Sequence, residues 1–514
     1  MFLAALPVLA QGGHETTVKL LKNEKWWGLF LSGSPAQPFA EPFSVDMAAP
    51  ESGRQYVPMM VSSEGRYLWS KEPFNADFDG DQMTVKSQHE KVEVQKSGKT
   101  LREAYLTCVH KNFPPSGEIP AVEFFTMPLY ETFYELGHAQ GHDELVGYAE
   151  RLLAEGFPKG ILVICDGWAS LSSGRYEFSS ELYPDPRATI EKLHSLGFKV
   201  MLTVSPYAPK AGRNYVKALR EGRLVGPMEK TGYSAMDSYS YNVDGTATAF
   251  YDMSRQDNFE WLKNGVDGIA SGLPVDFFRF DCSVAGRLNF EARRLDRQAF
   301  VANCLRLAAG LEQRSEVVGI DRGMFPPYVT GFRYSEPEKD YPQMPADILN
   351  DMLSRSLAGF PYSHVESSML ALLNNPRHIP VHMALQCGMP VVSIEFAPWS
   401  ISDRNLYDAV KSALLFRASV AEYMENLVKE SAKTGEPIVR HLEYQFPRQG
   451  FSDCDDQFML GPKYLIAPCV DGGPKRMVRL PKGRWTDKAG KTFRGPLVTE
   501  AECSGGLIYF ELAK

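Results

Sequence analysis

The 514-residue sequence lacks the marks of several protein classes. It has no long basic run and a net charge of -8, so it lacks the positively charged surface with which proteins bind nucleic acids. No stretch of about 18 residues is both apolar and uncharged, and we therefore predict no transmembrane helix. Neither nucleic acid nor a membrane is an expected partner.

The cysteines are few and widely spaced. The chain has 8 of them and no C-x-x-C pair. Zinc sites and disulfide-rich small domains bring their cysteines close together in sequence, so neither is predicted. We expect most of the cysteines to be buried thiols. We predict no metal ion and no cofactor.

The chain begins with an apolar run, FLAALPVLA after Met1, without a preceding basic segment. Val8 and Ala10 occupy the small-residue positions of a signal-peptide cleavage site. We interpret residues 1–11 as the remnant of a signal peptide, which predicts a periplasmic or extracellular protein with a mature N-terminus near Gln11. Two alternatives stay open: a start further upstream, or a short strand or disordered end on a cytoplasmic protein.

The length of the chain and the pattern of its apolar residues predict three domains. Single hydrophobic cores stop growing at roughly 250–300 residues, so 514 residues require more than one. Short alternating segments separated by turn signals predict an N-terminal β-sandwich over residues 12–120 and a C-terminal β-sandwich over residues 433–514. The N-terminal segments include QYVPMMVS from Gln55, KVEVQ from Lys91 and REAYLTCV from Arg102.

Residues 121–432 have a different sequence pattern, in which apolar runs alternate with long amphipathic stretches. This alternation is typical of parallel βα units, and about 300 residues of it predict a (β/α)8 barrel. A doubly wound open sheet is the alternative, but no G-x-G-x-x-G follows the first apolar run. The apolar runs include GILVIC from Gly160, KVMLTV from Lys199, VDFFRF from Val275, EVVGI from Glu316 and PVVSIE from Pro390.

Four acidic residues end apolar runs in this central region. They are Asp166, Asp281, Asp321 and Glu395. Each of them alone could cap the next helix or turn. Because the active site of a parallel barrel forms at the carboxyl ends of its strands, four such residues together predict a mouth lined by carboxylates.

Aromatic residues follow the same strand ends. Trp168, Tyr207, Tyr334 and Trp399 could stack on the faces of sugar rings, although core packing is the alternative for each. A pocket with carboxylates, aromatic walls and no metal-ligand spacing fits glycoside hydrolysis, which needs one carboxylate as nucleophile and one carboxylic acid as proton donor.

The central and C-terminal strings resemble glycoside hydrolase family 31, and most closely its α-galactosidase-like branch. The string FRFD, which ends at Asp281, resembles the family's nucleophile strand. The sequence departs from the family where no acid follows Asp281 within the next three residues. The other matching strings are MPLYET from Met127, ILVICDGW from Ile161, GFPY from Gly359, FAPW from Phe396, GEPIVR from Gly435 and QFMLGPKYLIAP from Gln457.

The resemblance implies a retaining, exo-acting α-glycoside hydrolase that uses Asp281 as nucleophile. The general acid of relatives lies in a loop that reads RYSEPEKD here, which points to Glu336, with Glu338 and Asp340 as alternatives. The resemblance also implies a set of substrate-binding residues, namely Asp166, Trp168, Arg279, Glu366 and Trp399.

The expected partner is an oligosaccharide or glycoside with a terminal α-galactosyl, α-glucosyl or α-xylosyl group. The missing acid after Asp281 leaves a second hypothesis open, a carbohydrate-binding protein with an inactive site. The sequence predicts neither the particular sugar nor the oligomeric state.

Overall fold

The computed structural model describes most of the chain in separate stretches. The described residues are 13–47, 55–88, 90–137, 139–165, 168–169, 177–210, 213–225, 240–243, 246–282, 288, 293, 295–318, 324–333, 344–366, 376–470, 473–503 and 506–513.

The N-terminal region forms two four-stranded antiparallel sheets that pack face to face, as the sequence predicted. Their strand orders are β1-β7-β6-β3 and β2-β4-β5-β8. Large apolar side chains such as Trp26, Phe30, Met60 and Phe78 form the core between them. The strands are β1 (His14–Lys19), β2 (Trp26–Ser32), β3 (Phe43–Asp46), β4 (Gln55–Ser62), β5 (Arg66–Trp69), β6 (Asn75–Phe78), β7 (Gln82–Ser87) and β8 (Gln95–Lys96).

One predicted strand of this region is a helix. The segment from Arg102 lies in α1 (Leu101–Asn112), so the strand prediction was wrong there. Thr100 caps the helix, and its side chain accepts a hydrogen bond from the backbone N–H of Glu103 at 3.2 Å. The Glu103 carboxylate in turn accepts one from the backbone N–H of Lys99 at 2.7 Å. A Thr and a Glu three residues apart begin helices in this way, and the alternation of the following residues does not decide their structure.

Eight parallel strands form the central sheet, in the order β18-β17-β16-β15-β11-β10-β9-β19. Each strand from β9 to β18 pairs with the next parallel strand in the chain, and β19 pairs with β9, so the order is that of a (β/α)8 barrel. The strands are β9 (Leu129–Glu131), β10 (Ile161–Ile164), β11 (Lys199–Val204), β15 (Phe277–Asp281), β16 (Ser315–Val318), β17 (Val329–Arg333), β18 (Ser363–Glu366) and β19 (Ser393–Ile394).

A side chain joins the last two strands of the barrel. Gln386 is 1% exposed, and its Nε2 donates to the carbonyl of Val365 on β18 at 2.6 Å. Its Oε1 accepts from the backbone N–H of Ser393 on β19 at 3.4 Å. Among the described residues no backbone ladder joins these two strands, and the amide bridges them and closes the barrel.

The predicted helices cover the barrel strands. Asp185, Asp296 and Asp403 begin three of them, and each side chain accepts a backbone N–H of the first turn, which explains where these helices start. The helices of the central region are α2 (Glu123–Thr126), α3 (Phe133–Leu136), α4 (His142–Ala154), α5 (Pro186–Leu196), α6 (Arg213–Arg220), α7 (Gln256–Gly272), α8 (Arg297–Ala309), α9 (Met344–Ser356), α10 (Ile379–Gly388), α11 (Arg404–Ser419) and α12 (Ala421–Thr434).

A small antiparallel sheet interrupts the barrel between β11 and α7. Its strands are β12 (Tyr207–Pro209), β13 (Ser240–Val243) and β14 (Thr246–Phe250), in the order β12-β14-β13. Because it follows the carboxyl end of β11, it lies on the side of the barrel where an active site is expected.

The C-terminal region forms one six-stranded antiparallel sheet, where a β-sandwich was predicted. The short helix α13 (Leu442–Gln445) packs with the sheet, and the Cys469–Cys503 disulfide lies in this region. The six other cysteines are thiols, five of them buried, in line with the expectation. The strands are β20 (Val439–Arg440), β21 (Phe458–Leu460), β22 (Tyr464–Ile466), β23 (Lys475–Asp487), β24 (Thr492–Glu502) and β25 (Tyr509–Leu512).

The N-terminal sandwich docks on barrel helix α9 through polar contacts. The carboxylate of Asp351 accepts the backbone N–H groups of Gly33 and Ser34, each at 3.0 Å. Ser354 donates to the carbonyl of Phe30 at 2.6 Å. Within the described residues, no helix is both long and apolar enough to cross a membrane.

Candidate active site

Asp281 lies at the carboxyl end of a barrel strand, as the sequence predicted. It is the last residue of β15 and is 4% exposed. The strand pairs with β11 on one side and with β16 on the other, where Asp281 is in register with Val318. The next amide, from Cys282, donates to the carbonyl of Val318 at 3.0 Å and extends the pairing past the carboxylate. The strand that carries Asp281 is therefore held from both sides, and Asp281 itself is paired with β16.

Several predicted site residues lie outside the described residues. The strand ends β10, β16, β17 and β18 are described, but parts of the segments that follow them are not. Glu366 belongs to β18, and only its backbone is described. The predictions that lie outside are those for Asp166, Asp321, Tyr334, Glu336, Glu338 and Asp340.

Arg279 is buried inside the barrel, at 1% exposure. Its Nη1 donates to Glu131 Oε1 on β9 at 2.6 Å, and its Nε donates to Glu316 Oε2 on β16 at 2.8 Å. Since β11 and β10 separate β15 from β9 in the sheet, the contact with Glu131 crosses the barrel interior. A side chain placed in this way is not available for direct sugar contact, so we correct the predicted role of Arg279 from substrate binding to support of the barrel interior.

Two further side chains complete this buried group. His364 on β18 bonds through Nε2 to Glu316 Oε1, and Ser393 on β19 donates to Glu131 Oε1 at 3.1 Å. We call Glu131, Arg279, Glu316, His364 and Ser393 the Arg279 cluster. All five are at most 6% exposed, and they come from five of the eight strands.

The Arg279 cluster holds Glu316 in its ionised form. Burial alone opposes ionisation, but the adjacent charge of Arg279 and the bond to His364 outweigh it and lower the pKa of Glu316 to about 2. The carboxylate therefore carries its charge inside the barrel at neutral pH.

Trp168 packs in the core and offers no face to a ligand. The side chain is 0% exposed, and its Nε1 donates to the carbonyl of Thr203 on β11 at 2.8 Å. The ring of Phe178 lies 4.9 Å from the indole, centroid to centroid. The predicted sugar-stacking role is corrected to packing, because a fully buried ring has no surface to stack on.

Trp399 is also engaged with protein side chains. The guanidinium carbon of Arg151 lies 4.3 Å from its ring centroid, and the Tyr148 ring meets it edge-on at 4.8 Å. Both partners come from α4. The indole Nε1 donates to the carboxylate of Glu135 at 2.8 Å. The guanidinium of Arg151 covers the ring face on which a sugar was expected. The structure therefore supports packing against α4 as the role of Trp399.

Two other predicted residues lie near strand ends. Glu395 follows β19 directly and is 8% exposed, so it remains a carboxylate of the barrel mouth. Tyr207 begins β12 and packs edge-on against Phe250 at 5.2 Å. Its half-buried ring belongs to the small sheet after β11.

Sequence reasoning missed Glu131, Glu316 and His364. The rule it applied selects acids that end apolar runs, whereas Glu316 stands inside its strand and His364 was not considered at all. The detectable signal is the alternation within strands: Arg279 and Asp281 are two residues apart and share one face of β15, so a polar pair inside the barrel is predictable. Among the described residues, no group of three or more His, Cys, Asp or Glu could hold a metal ion.

A closed parallel barrel with a buried carboxylate at the carboxyl end of a strand defines the class of barrel proteins whose active sites form at that face. Two family models match segments of the chain. The glycosyl hydrolase family 31 TIM-barrel domain matches residues 128–303, and the family 31 C-terminal domain matches residues 435–505. The chain belongs to glycoside hydrolase family 31.

Curated relatives are similar at low identity. The myogenesis-regulating glycosidase of Mus musculus is 23% identical over 430 residues, which cover 77% of this chain and 57% of the relative. The α-glucosidase of Saccharolobus solfataricus is 23% identical over 361 residues, 59% of this chain and 50% of the relative. The chain thus spans about half the length of these two relatives.

Solved structures share the fold along nearly the whole chain. A family 31 dextranase of Flavobacterium johnsoniae superposes with a TM-score of 0.74 at 15% identity, covering 98% of this chain and 67% of that one. A family 31 α-xylosidase from a soil metagenome also superposes with a TM-score of 0.74, at 17% identity, covering 97% of this chain and 79% of that one.

Proposed function

We propose that the protein is a retaining α-glycoside hydrolase with Asp281 as its nucleophile. The position of Asp281 carries the proposal: a buried carboxylate at the carboxyl end of β15, within the string that resembles the family's nucleophile strand. Family membership supports the same chemistry. Pairing with β16, in which Asp281 is in register with Val318, fixes the backbone position from which the carboxylate would attack a bound sugar.

The mechanism is double displacement. Asp281 attacks the anomeric carbon while Glu336 protonates the leaving oxygen, and the covalent glycosyl-enzyme forms. Glu336 then removes a proton from water, which releases the sugar with its original anomeric configuration. In retaining enzymes the two carboxyl groups lie about 5–5.5 Å apart, and this separation between Asp281 and Glu336 stays a prediction.

The proposed substrates are glycosides with a terminal α-linked sugar. The names of similar proteins, an α-glucosidase, an α-xylosidase and a dextranase, support α-glucosides and α-xylosides. The resemblance of the FRFD and FAPW strings to the α-galactosidase-like branch supports α-galactosides. The proposal is exo-action on one of these three.

Hydrolysis of a panel of aryl α-galactoside, α-glucoside and α-xyloside tests the proposal. The wild type should hydrolyse one of them, Asp281→Asn should lose at least about 1,000-fold in kcat, and NMR should show the α-anomer as first product. Asp276→Asn is the matched control, because Asp276 lies next to the same strand at its amino end, bonded to Lys199 at 2.9 Å. Hydrolysis by Asp281→Asn at the wild-type rate would refute the assignment. Sugar binding without hydrolysis by the wild type would favour the inactive carbohydrate-binding protein.

The general acid is tested by leaving-group dependence. Glu336→Gln should leave the first step on activated aryl glycosides nearly intact and should strongly slow hydrolysis of a disaccharide, because only the poor leaving group needs protonation. Unchanged disaccharide hydrolysis would exclude Glu336, and Asp340 and Glu338 would be tested in the same way.

We also propose a periplasmic or extracellular location. The disulfide between Cys469 and Cys503 supports it, since structural disulfides persist in oxidising compartments. Mass spectrometry of the native protein should find an N-terminus near Gln11, and a mature protein that retains Met1 would count against the proposal.

A further inference from the structure

The Arg279 cluster is an unusual filling for a barrel. The interior of a (β/α)8 barrel is normally packed with layers of branched aliphatic side chains. Here one guanidinium, two carboxylates and an imidazole are buried in their place. Burying ion pairs costs so much desolvation that hydrophobic residues of similar volume stabilise a fold equally well or better. Stability alone therefore does not explain the cluster.

The cluster lies directly beneath the nucleophile. Arg279 and Asp281 are two residues apart on one strand, so their side chains leave β15 on the same face, with Cα atoms about 7 Å apart. The guanidinium reaches Glu131 across the interior, which fixes that face as the inner one. The Asp281 carboxylate is thus one layer above a fixed positive charge and two fixed negative ones.

The barrel makes room for this layer. Gly331 on β17 faces the cluster, and a Cβ atom at this position would lie 2.9 Å from Glu316 Oε1 and 3.1 Å from His364 Nε2. The first distance is shorter than real Cβ contacts, and the second is tighter than nine in ten of them. Glycine at this position therefore lets β17 lie beside the Glu316–His364 pair without displacing either side chain.

We propose that the Arg279 cluster is the electrostatic support of the nucleophile. Glu131 and Glu316 are positioning residues that hold the Arg279 guanidinium beneath Asp281, and the charge balance of the cluster sets the pH at which Asp281 ionises. The inference rests on the proposed role of Asp281 in hydrolysis. None of the cluster residues needs to touch the sugar.

The charges of the Arg279 cluster lie close to Asp281 in buried surroundings, where solvent screens them little. Two unit charges separated by about 7 Å, the spacing of the two Cα atoms, shift a pKa by about one unit or more in partly buried surroundings. Removing a negative charge from the cluster should therefore ease ionisation of Asp281, and removing the positive charge should hinder it. The ionisable groups that the described residues bring near Asp281 include Cys282, which follows it in the chain, and Cys304 on α8, which contacts Cys282, and both are the same in every variant below.

Direct titration of Asp281 tests the proposal. The full-length protein is labelled with [13C]aspartate, the Asp281 carboxyl signal is assigned with Asp281→Asn, and its pKa is measured by NMR in each variant. Glu316→Gln keeps the shape of the side chain and removes its charge, and it should lower the pKa of Asp281 by about one unit. Arg279→Met should raise it, and Arg279→Lys, which restores the charge, should return it toward the wild-type value.

Ser393→Ala is the matched control, because it removes one hydrogen bond from the cluster and no charge. Its Asp281 pKa should stay within about 0.3 units of wild type. If Arg279→Met does not fold, the comparison of Glu316→Gln with Ser393→Ala still decides. Equal Asp281 pKa values in those two variants would overturn the proposal.

Kinetics separate this inference from the proposed function. The acid limb of the kcat/KM profile should move to lower pH in Glu316→Gln by the same amount as the titration, since that limb reports ionisation of the nucleophile in the free enzyme. A merely structural role would lower kcat without moving the limb. A shifted Asp281 pKa in a protein that hydrolyses no glycoside would refute the hydrolase function and leave the electrostatic inference standing.

Discussion

Gln386 should be a large single contributor to barrel stability. Replacing it with Met keeps the volume of the side chain but leaves the Val365 carbonyl and the Ser393 N–H without partners in a buried seam. An unsatisfied buried polar group costs about 1–3 kcal/mol. The bond to Val365 is short, at 2.6 Å, and the bond from Ser393 is long, at 3.4 Å. Losing the bond from Ser393 should therefore cost a free energy near the lower limit of this range. The expected decrease in the free energy of unfolding is about 2–4 kcal/mol.

Urea unfolding followed by tryptophan fluorescence measures this decrease. The control is Gln256→Met on α7, because the exposed Gln256 bonds the neighbouring Glu260 at 2.8 Å, and its replacement should change stability by less than about 0.5 kcal/mol. A decrease below about 0.5 kcal/mol for Gln386→Met, or an equal decrease in both variants, would refute the bridging role of the amide.

Three further predictions concern stability. Replacing Cys469 and Cys503 by Ser should destabilise the C-terminal domain by about 4 kcal/mol, from the entropy of a loop closed over 34 residues, and thermal unfolding checks this against the oxidised wild type. Gly331→Ala should lower stability by about 1–3 kcal/mol, because its methyl group would meet Glu316, and an unchanged melting temperature would argue against close packing there. Burial opposes ionisation of Glu316, but the ion pair with Arg279 lowers its pKa from 4.5 to about 2. The ionised group therefore stabilises the fold above pH 4.5, and about 3 kcal/mol of the free energy of unfolding is lost as the pH falls to 2. Glu316→Gln should flatten the stability curve in that window, which acid titration of unfolding measures.

The barrel could be predicted from sequence because its strands carry their own signal. Runs such as KVMLTV and VDFFRF are apolar on both faces, as strands buried between a barrel interior and a helix layer must be. The helices between them begin at capping aspartates, Asp185 among them, which fixes their starts within a residue or two. Strand order then follows from the chain, because each parallel strand pairs with the next.

Other elements could not be predicted by the same reasoning. The alternation from Arg102 is compatible with strand and helix, and the decision lies in a reciprocal pair of hydrogen bonds between Thr100 and Glu103. The C-terminal strands carry the short alternating pattern of any antiparallel sheet. That pattern contains no information on whether a second sheet covers the first, so the single sheet was not foreseen.

The roles of individual site residues depended on geometry that sequence does not contain. Asp281 was found because it ends its strand. Trp168 was misassigned because a residue that follows the end of a strand can also bury its side chain in the core, as Trp168 does. The partners of Arg279 are distant along the chain, at positions 131 and 316, and they meet only after β9, β15 and β16 are in register.

The Arg279 cluster links the register of the barrel to the site it supports. Side chains alternate between the two faces of a strand, so a slip of one residue in β15 would turn Arg279 and Asp281 outward together. Such a slip would also leave Glu131 and Glu316 buried without a counter-ion, which costs about 3–5 kcal/mol for a broken buried pair. An aliphatic interior tolerates a slip far better, because one branched side chain replaces another. The charged layer therefore destabilises the registers in which the nucleophile would be misplaced, so that one register, and with it one position of Asp281, is favoured.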